Sequence, residues 1–226
     1  DASAIAALKN DKVTEAVRTV TSREARTFGT GKYHVVLIDL GYKKNILRQL
    51  LNHGCRVTVV PAETKPEEID ALYPDGIMLS NGPGDPKENQ DIIQNLRALL
   101  SYRIPTFGIC LGHQLMALAS GGDTMKLKYG HRGANQPVHD LRKDRVYITS
   151  QNHGYAVISG SIPPSVGTVS HINGNDGTCE GVSYKNIPAF TVQFHPEAAG
   201  GPLDTSYLFD EFLQLMEGGR QNAAQK

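Results

Sequence analysis

The sequence carries no surplus charge: 23 Lys and Arg balance 23 Asp and Glu. A chain without a net field has no electrostatic footprint for a nucleic acid or an anionic membrane, so its partner has to be found from local sites. It also lacks any apolar run approaching the roughly 20 residues that cross a bilayer. Its first residues, DASAIAALKNDK, lack the basic-then-apolar order of a secretory signal. These absences set the expectation of a cytoplasmic protein that engages neither nucleic acid nor membrane. Cysteine is scarce. Cys55, Cys110 and Cys179 are an odd number at wide spacings, which fits neither a disulfide framework nor a zinc-ligand pattern, and reduced thiols are expected. Internal repeats and low-complexity blocks are missing too. So are the phosphate loops G-x-G-x-x-G and G-x-x-x-x-G-K-[ST], since GTGK at 29–32 is too short.

What is present is enough for one good core: 226 residues with 39% hydrophobic content, short for two full domains. The first thirty residues carry two short helical patterns, over 4–9 and 12–17, and then polar connecting sequence, which reads as a lead-in rather than as core. From there strands and helices alternate. HVVLID (34–39) precedes KKNILRQLLNHG, RVTVV (56–60) precedes PEEIDAL, GIMLS (76–80) precedes ENQDIIQNLRALL, and PTFGI (105–109) precedes LGHQLMALAS. Four such units in series predict an α/β fold: an open, mostly parallel sheet, mixed at the edge, with helices on both faces. Beyond Gly121 shorter β-like pieces appear at PVHDL, RVYIT, TVSHI, EGVSY and AFTVQF, separated by turn residues. A last helix is expected over 206–216, with Leu208, Phe209, Phe212, Leu213 and Met216 on one stripe, and a frayed end after it.

In open α/β sheets, sites gather at the carboxyl ends of the strands, and Cys110 sits at such an end. GICLG (108–112) matches the nucleophile elbow G-x-S-x-G with sulfur in place of oxygen. The flanking glycines leave room for a strand to turn abruptly into a helix around a strained central residue. A thiol there faces the positive end of the helix, which favours thiolate. The N–H of Leu111 is placed where an oxyanion develops, and Gln114 lies one turn along the same face. The competing reading is a buried structural thiol, the commoner state of a free cysteine. A cysteine nucleophile needs a base oriented by a third group. His195, at the end of AFTVQF and followed by Pro196 and Glu197, is the best-placed histidine, although His-Pro-Glu alone reads equally as a turn. SNGPGDP (80–86) follows a strand, and Gly82 and Gly84 allow its backbone N–H groups to approach a ligand; a plain surface turn has the same composition. His113 is expected to pack the site and His153 to lie beside it. His34, His53, His131, His139 and His171 show no metal-ligand spacing. Cys55 is expected to line the core, and Cys179 to be non-catalytic.

With SNGPGDP, the elbow and HPE all present, the chain resembles the class I, triad-type glutamine amidotransferases over residues 33–216. YGHRGANQPV (129–138) and SQNHGYAV (150–157) resemble the small, glutamine-hydrolysing subunits of carbamoyl phosphate synthetases. The resemblance implies a flavodoxin-like architecture, with Cys110 as nucleophile, His195 as acid/base and Glu197 as its partner. It assigns glutamine contacts to Gly82, Gly84, Leu111, Gln114, Asn152, Gly154 and Tyr155; the family position of Tyr155 is often Phe, which makes its hydroxyl incidental. No cofactor or metal is implied in this chain. ATP and magnesium are implied on a large synthetase subunit that takes up the ammonia in a heteromer. Residues 1–32 are expected to link to a further N-terminal domain, 33–216 to form the amidotransferase domain, and 217–226 to be a flexible tail. Arginine and pyrimidine synthesis both remain open as the pathway served. The rival readings are an amidotransferase of the anthranilate or GMP type, a non-catalytic docking module, and a papain-like or esterase-type hydrolase.

Overall fold

The computed structural model describes residues 14–198 and 201–224. The chain opens with α1 (Ala16–Val20) and β1 (Arg26–Phe28), then alternates β2 (Tyr33–Asp39), α2 (Lys44–Asn52), β3 (Cys55–Pro61), α3 (Pro66–Asp70), β4 (Gly76–Leu79), α4 (Gln90–Leu99), β5 (Thr106–Ile109) and α5 (Leu111–Ala119). Five more strands follow: β6 (Thr124–Asp140), β7 (Arg145–Val157), β8 (Gly167–Asn173), β9 (Cys179–Tyr184) and β10 (Ala189–Val192), before α6 (Tyr207–Ala224). Every residue of β2, β4, β5 and β10 is buried, as expected of apolar runs covered on both faces.

Successive residues of β2 point to opposite sides, and two apolar layers result. Val36 and Ile38 join Ile69 of α3, Ile92 and Leu96 of α4, and Leu115 and Met116 of α5. Val35 and Leu37 join Ile46 and Leu50 of α2, and Phe209, Phe212 and Met216 of α6. Helices therefore cover both faces, as the sequence predicts. Helix α5 is buried on nearly every side, which makes it a rigid base for the residues at its start.

The strand order is β1-β3-β2-β4-β5-β10-β9-β7-β6-β8, with β8 also pairing β9. β3, β2, β4, β5 and β10 run parallel, and every other pairing is antiparallel. The expected mostly parallel sheet with a mixed edge is thus corrected: β6, β7, β9 and β8 pair in a ring, and the antiparallel part matches the parallel one in strand number. The glycine-broken pieces between 124 and 157 are really two long strands. Register shifts between Lys126 and His131, and between Gly133 and Gln136, bend β6 where Gly130 and Gly133 have φ of 72° and 137°. Glycines read as turns are bulges.

The expected lead-in is more than a linker. The pattern over 4–9 and the first residues of the one over 12–17 lie outside the described residues, but α1 buries Val17 to 1% exposure in the core, and β1 adds an antiparallel strand on β3. Val17→Ala is expected to cost about 2 kcal/mol in a denaturant titration. Val20→Ala, at a side chain 48% exposed, should stay within about 0.5 kcal/mol. At the other end α6 runs to Ala224, past the expected stop at Met216, so most of the supposed tail is helical. Among the described residues no helix is long and apolar enough to cross a membrane.

Candidate active site

β5 ends at Ile109 and α5 starts at Leu111, so Cys110 alone makes the turn. Its φ of 53° and ψ of −102° lie where L side chains are rarely found. Backbone bonds hold it there: Cys110 N–H donates to the Val192 carbonyl at 2.8 Å, and Gly112 N–H to the Ser80 carbonyl at 3.0 Å. The flanking glycines are needed for the room expected of them, mainly against neighbouring strands. A Cβ on Gly108 would sit 2.7 Å from Thr191 Cγ2 of β10, and one on Gly112 would sit 2.4 Å from the Leu79 carbonyl oxygen of β4.

Beyond β10 the chain brings His195 to the same edge. Its Nδ1 lies 2.8 Å from Glu197 Oε1, and its N–H donates to the Ser150 carbonyl at 2.9 Å, tying the segment to β7. Both side chains are buried. Burial works against a charge on His195, but the neighbouring Cys110 and Glu197 side chains override it and raise the imidazole from 6.5 to about 9. With Nδ1 taken by Glu197, Nε2 is left for the sulfur. Glu197 is held in turn by Asn45, whose side-chain amide donates to its carbonyl oxygen, and by Lys43 Nζ at 3.7 Å from Oε1. Neither residue stood out in the sequence. Both follow β2, at the carboxyl edge where sites gather.

Cys110 is only 4% exposed, yet it is not walled into the core: it lines a cavity of about 690 Å³. Gly82, Gly84, Gln114, Asn152, Gly154 and Tyr155 line the same cavity, whereas Leu111, His195 and Glu197 are not among its lining residues. The SNGPGDP loop is braced rather than a free turn. Lys43 N–H donates to Asn81 Oδ1 at 2.9 Å, and a Cβ on Gly82 would lie 2.2 Å from the Leu40 carbonyl oxygen. Gln114 Nε2 donates to the Tyr155 carbonyl and to Gln193 Oε1, each at 2.9 Å, so its oxygen is the atom available to a ligand. Sequence reading missed Asp85, Glu88, Lys126 and Arg132, which put both signs of charge on the cavity wall. Burial, with the nearby Asp85 carboxylate, raises the pKa of the Tyr155 hydroxyl.

The remaining candidates sort by burial. Burial pushes the Cys55 thiol up to about 11 and the Cys179 thiol to about 12, so both stay protonated. His113 is fully buried against Thr191, and burial, with the nearby His153 and His171, pulls it down to about 3. His131 and His153, far apart in sequence, meet edge-on with ring centroids 4.9 Å apart.

A strained cysteine at a strand-to-helix elbow, beside a buried histidine–glutamate pair, is the layout in which α/β enzymes carry acyl groups on sulfur. The sequence profile of the family Glutamine amidotransferase class-I matches residues 36–215, and the chain belongs to that family. It is 55% identical over 203 residues to the carbamoyl phosphate synthase arginine-specific small chain of Geobacillus stearothermophilus, covering 90% of this chain and 57% of the relative. It is 54% identical over 196 residues to the carbamoyl phosphate synthase small chain of Methanopyrus kandleri, covering 87% and 54%. The chain thus spans little more than half the length of these relatives. In fold it is similar to a putative GMP synthase protein of Thermoplasma acidophilum, with a TM-score of 0.74 at 22% identity over 87% of this chain and 100% of that one.

Proposed function

We propose that this chain is the glutamine-hydrolysing part of a carbamoyl phosphate synthetase. One observation carries the reading: Cys110, strained at the elbow and open to a cavity, neighbours a buried histidine that Glu197 orients at 2.8 Å. The mixed charge of Asp85, Glu88, Lys126 and Arg132 suits a zwitterionic amino acid. Gln114, Asn152, Gly154 and Tyr155 hold its main-chain end, with the Gln114 oxygen accepting from the ammonium group.

The Cys110 thiolate attacks the side-chain amide carbon. Charge collects on the amide oxygen, which takes hydrogen bonds from Leu111 N–H and from the Gly82–Gly84 loop. His195 gives its proton to the departing ammonia, leaving a γ-glutamyl thioester. It then takes a proton from water as that water attacks, and glutamate and the free thiol are released. The chain needs no cofactor for these steps. Ammonia passes to a large synthetase subunit, which supplies ATP and magnesium in a cytoplasmic heteromer. The amidotransferase unit then takes in α1, β1 and the whole of α6 beside 33–216, and the remaining length of the relatives forms a further domain.

Mass spectrometry after exposure to a glutamine-like chloroketone tests the reading. Label on Cys110 alone, blocked by glutamine, is the expected result; label elsewhere, or no protection, overturns it. Co-purification with a GMP-forming or anthranilate-forming synthetase subunit would instead reassign the partner.

The raised pKa of His195 fixes the sign of a pH effect. Folding favours its charged form, so the stabilisation is complete below 6.5 and disappears as pH rises through about 9. Turnover needs that proton for the leaving ammonia, so kcat should fall on the alkaline side near pH 9. In Glu197→Gln, which removes a charge and weakens a hydrogen bond, the fall should move toward neutrality. A pH–rate profile unchanged in the variant removes Glu197 from this role.

A further inference from the structure

Three side chains from three strands converge at the cavity wall, which His153 itself lines: His131 of β6, His153 of β7 and Glu180 of β9. His131 Nδ1 is 3.2 Å from His153 Nε2 and 3.3 Å from Glu180 Oε1, and His153 Nε2 is 4.0 Å from Glu180 Oε1. Tetrahedral Zn²⁺ with bonds of roughly 2.0–2.1 Å sets its ligand atoms about 3.3–3.4 Å apart. Two edges of such a site are already in place, and the third closes with a side-chain shift of about half an ångström.

The bonds on the far side of each ring decide which atoms carry protons. His153 Nδ1 faces the Tyr155 carbonyl at 2.8 Å and must donate to it, while His131 Nε2 faces Asp176 Oδ2 at 2.9 Å. In the neutral rings His153 Nε2 and His131 Nδ1 therefore both present lone pairs inward. Gln151 adds another. Its Nε2 donates to Thr149 Oγ1 at 3.1 Å, whose own proton goes to the Gln136 carbonyl at 2.9 Å. That fixes the amide, leaving Oε1 aimed at His153 Nε2 at 3.0 Å. Glu180 is 0% exposed; Asn173 donates to its Oε1, but its Oε2 has no hydrogen-bond partner. Without an ion a proton on His131 faces these lone pairs, between Glu180 and Asp176, and a metal ion would take that proton's place.

We infer that His131 Nδ1, His153 Nε2 and Glu180, with Gln151 Oε1 as fourth donor, form a site for a Zn²⁺-like transition-metal ion. Two imidazoles, one carboxylate and one amide oxygen suit that class of ion. Asp176 and the Tyr155 carbonyl serve it as the outer partners that orient ligand histidines. The ion ties β6, β7 and β9 together directly behind Asn152 and Gly154, so it stiffens one wall of the cavity. The site is separate from the proposed triad, and metal bound per chain is read without glutamine turnover.

The test uses Cys110→Ser protein, so that the elbow thiol contributes no ligand. Calorimetric titration with Zn²⁺ should give one ion per chain, and Co²⁺ should show the visible absorption of a four-coordinate ion. His131→Asn and Glu180→Gln should each weaken binding by roughly 100-fold or more, and Asp176→Asn, which changes only an outer carboxylate, by about 10- to 100-fold. Should Glu180→Gln fail to fold, the other two variants carry the comparison. No Zn²⁺ binding by the folded protein, or equal binding by folded His131→Asn, overturns the site and leaves a hydrogen-bonded cluster built on a protonated His131.

Discussion

Cys110→Ser is expected to lower the rate of glutamate formation from glutamine, measured with the synthetase partner present, by about four orders of magnitude or more. The substitution changes one atom and keeps the fold: the new hydroxyl fits the same pocket, the backbone bonds to Val192 and Ser80 are untouched, and the unfolding temperature should move by only about 2–4 °C. The chemistry is not kept. At neutral pH the hydroxyl is far less ionised than a thiol, and a protonated His195 no longer has a thiolate to pair with. A thiol conserved in volume but absent from the reaction would give the opposite pattern, with turnover unaffected. Wild-type activity in the serine variant would therefore remove Cys110 from the mechanism, whatever else the site contains.

Gly112→Ala is the second large effect. The added Cβ would lie 2.4 Å from the Leu79 carbonyl oxygen and 2.6 Å from Leu79 Cβ, and neither can move without shifting β4 in the middle of the sheet. Relief comes only by pushing the start of α5 away, at a cost of about 3 kcal/mol. Thermal unfolding should occur about 6–12 °C lower. Because the displaced turn carries the sulfur, chloroketone labelling of Cys110 should fall with it. An alanine variant with wild-type stability and labelling would show that the elbow has slack that its contacts deny.

The parallel half was legible because its signals are local. Apolar runs of strand length each precede an amphipathic helix, and one cysteine between glycines marks the sharpest junction. The candidate residues in these loops, together with His195 and Glu197, stood out from the same cues plus the family resemblance. The antiparallel half was harder. Gly130 and Gly133 are bulges within a strand, and a lone sequence gives a bulge the same signature as a turn. Val17 was missed because a five-residue helix has too little periodicity to announce a buried face. The cavity charges Lys126 and Arg132, and the pairing of His131 with His153, depend on register across β6 and β7, which no spacing rule expresses.

The sulfur and the surface opposite it are carried by different halves of the sheet. Cys110 rides on β5 and Asn152, Gly154 and Tyr155 on β7, and the halves meet along the β9–β10 ladder, whose pairs are Phe190 with Ser183, Thr191 with Val182 and Val192 with Gly181. Two bonds at the site cross the same boundary, Gln114 to the Tyr155 carbonyl and His195 N–H to the Ser150 carbonyl, so the span from sulfur to the opposite wall is pinned at the cavity itself and not only along the ladder.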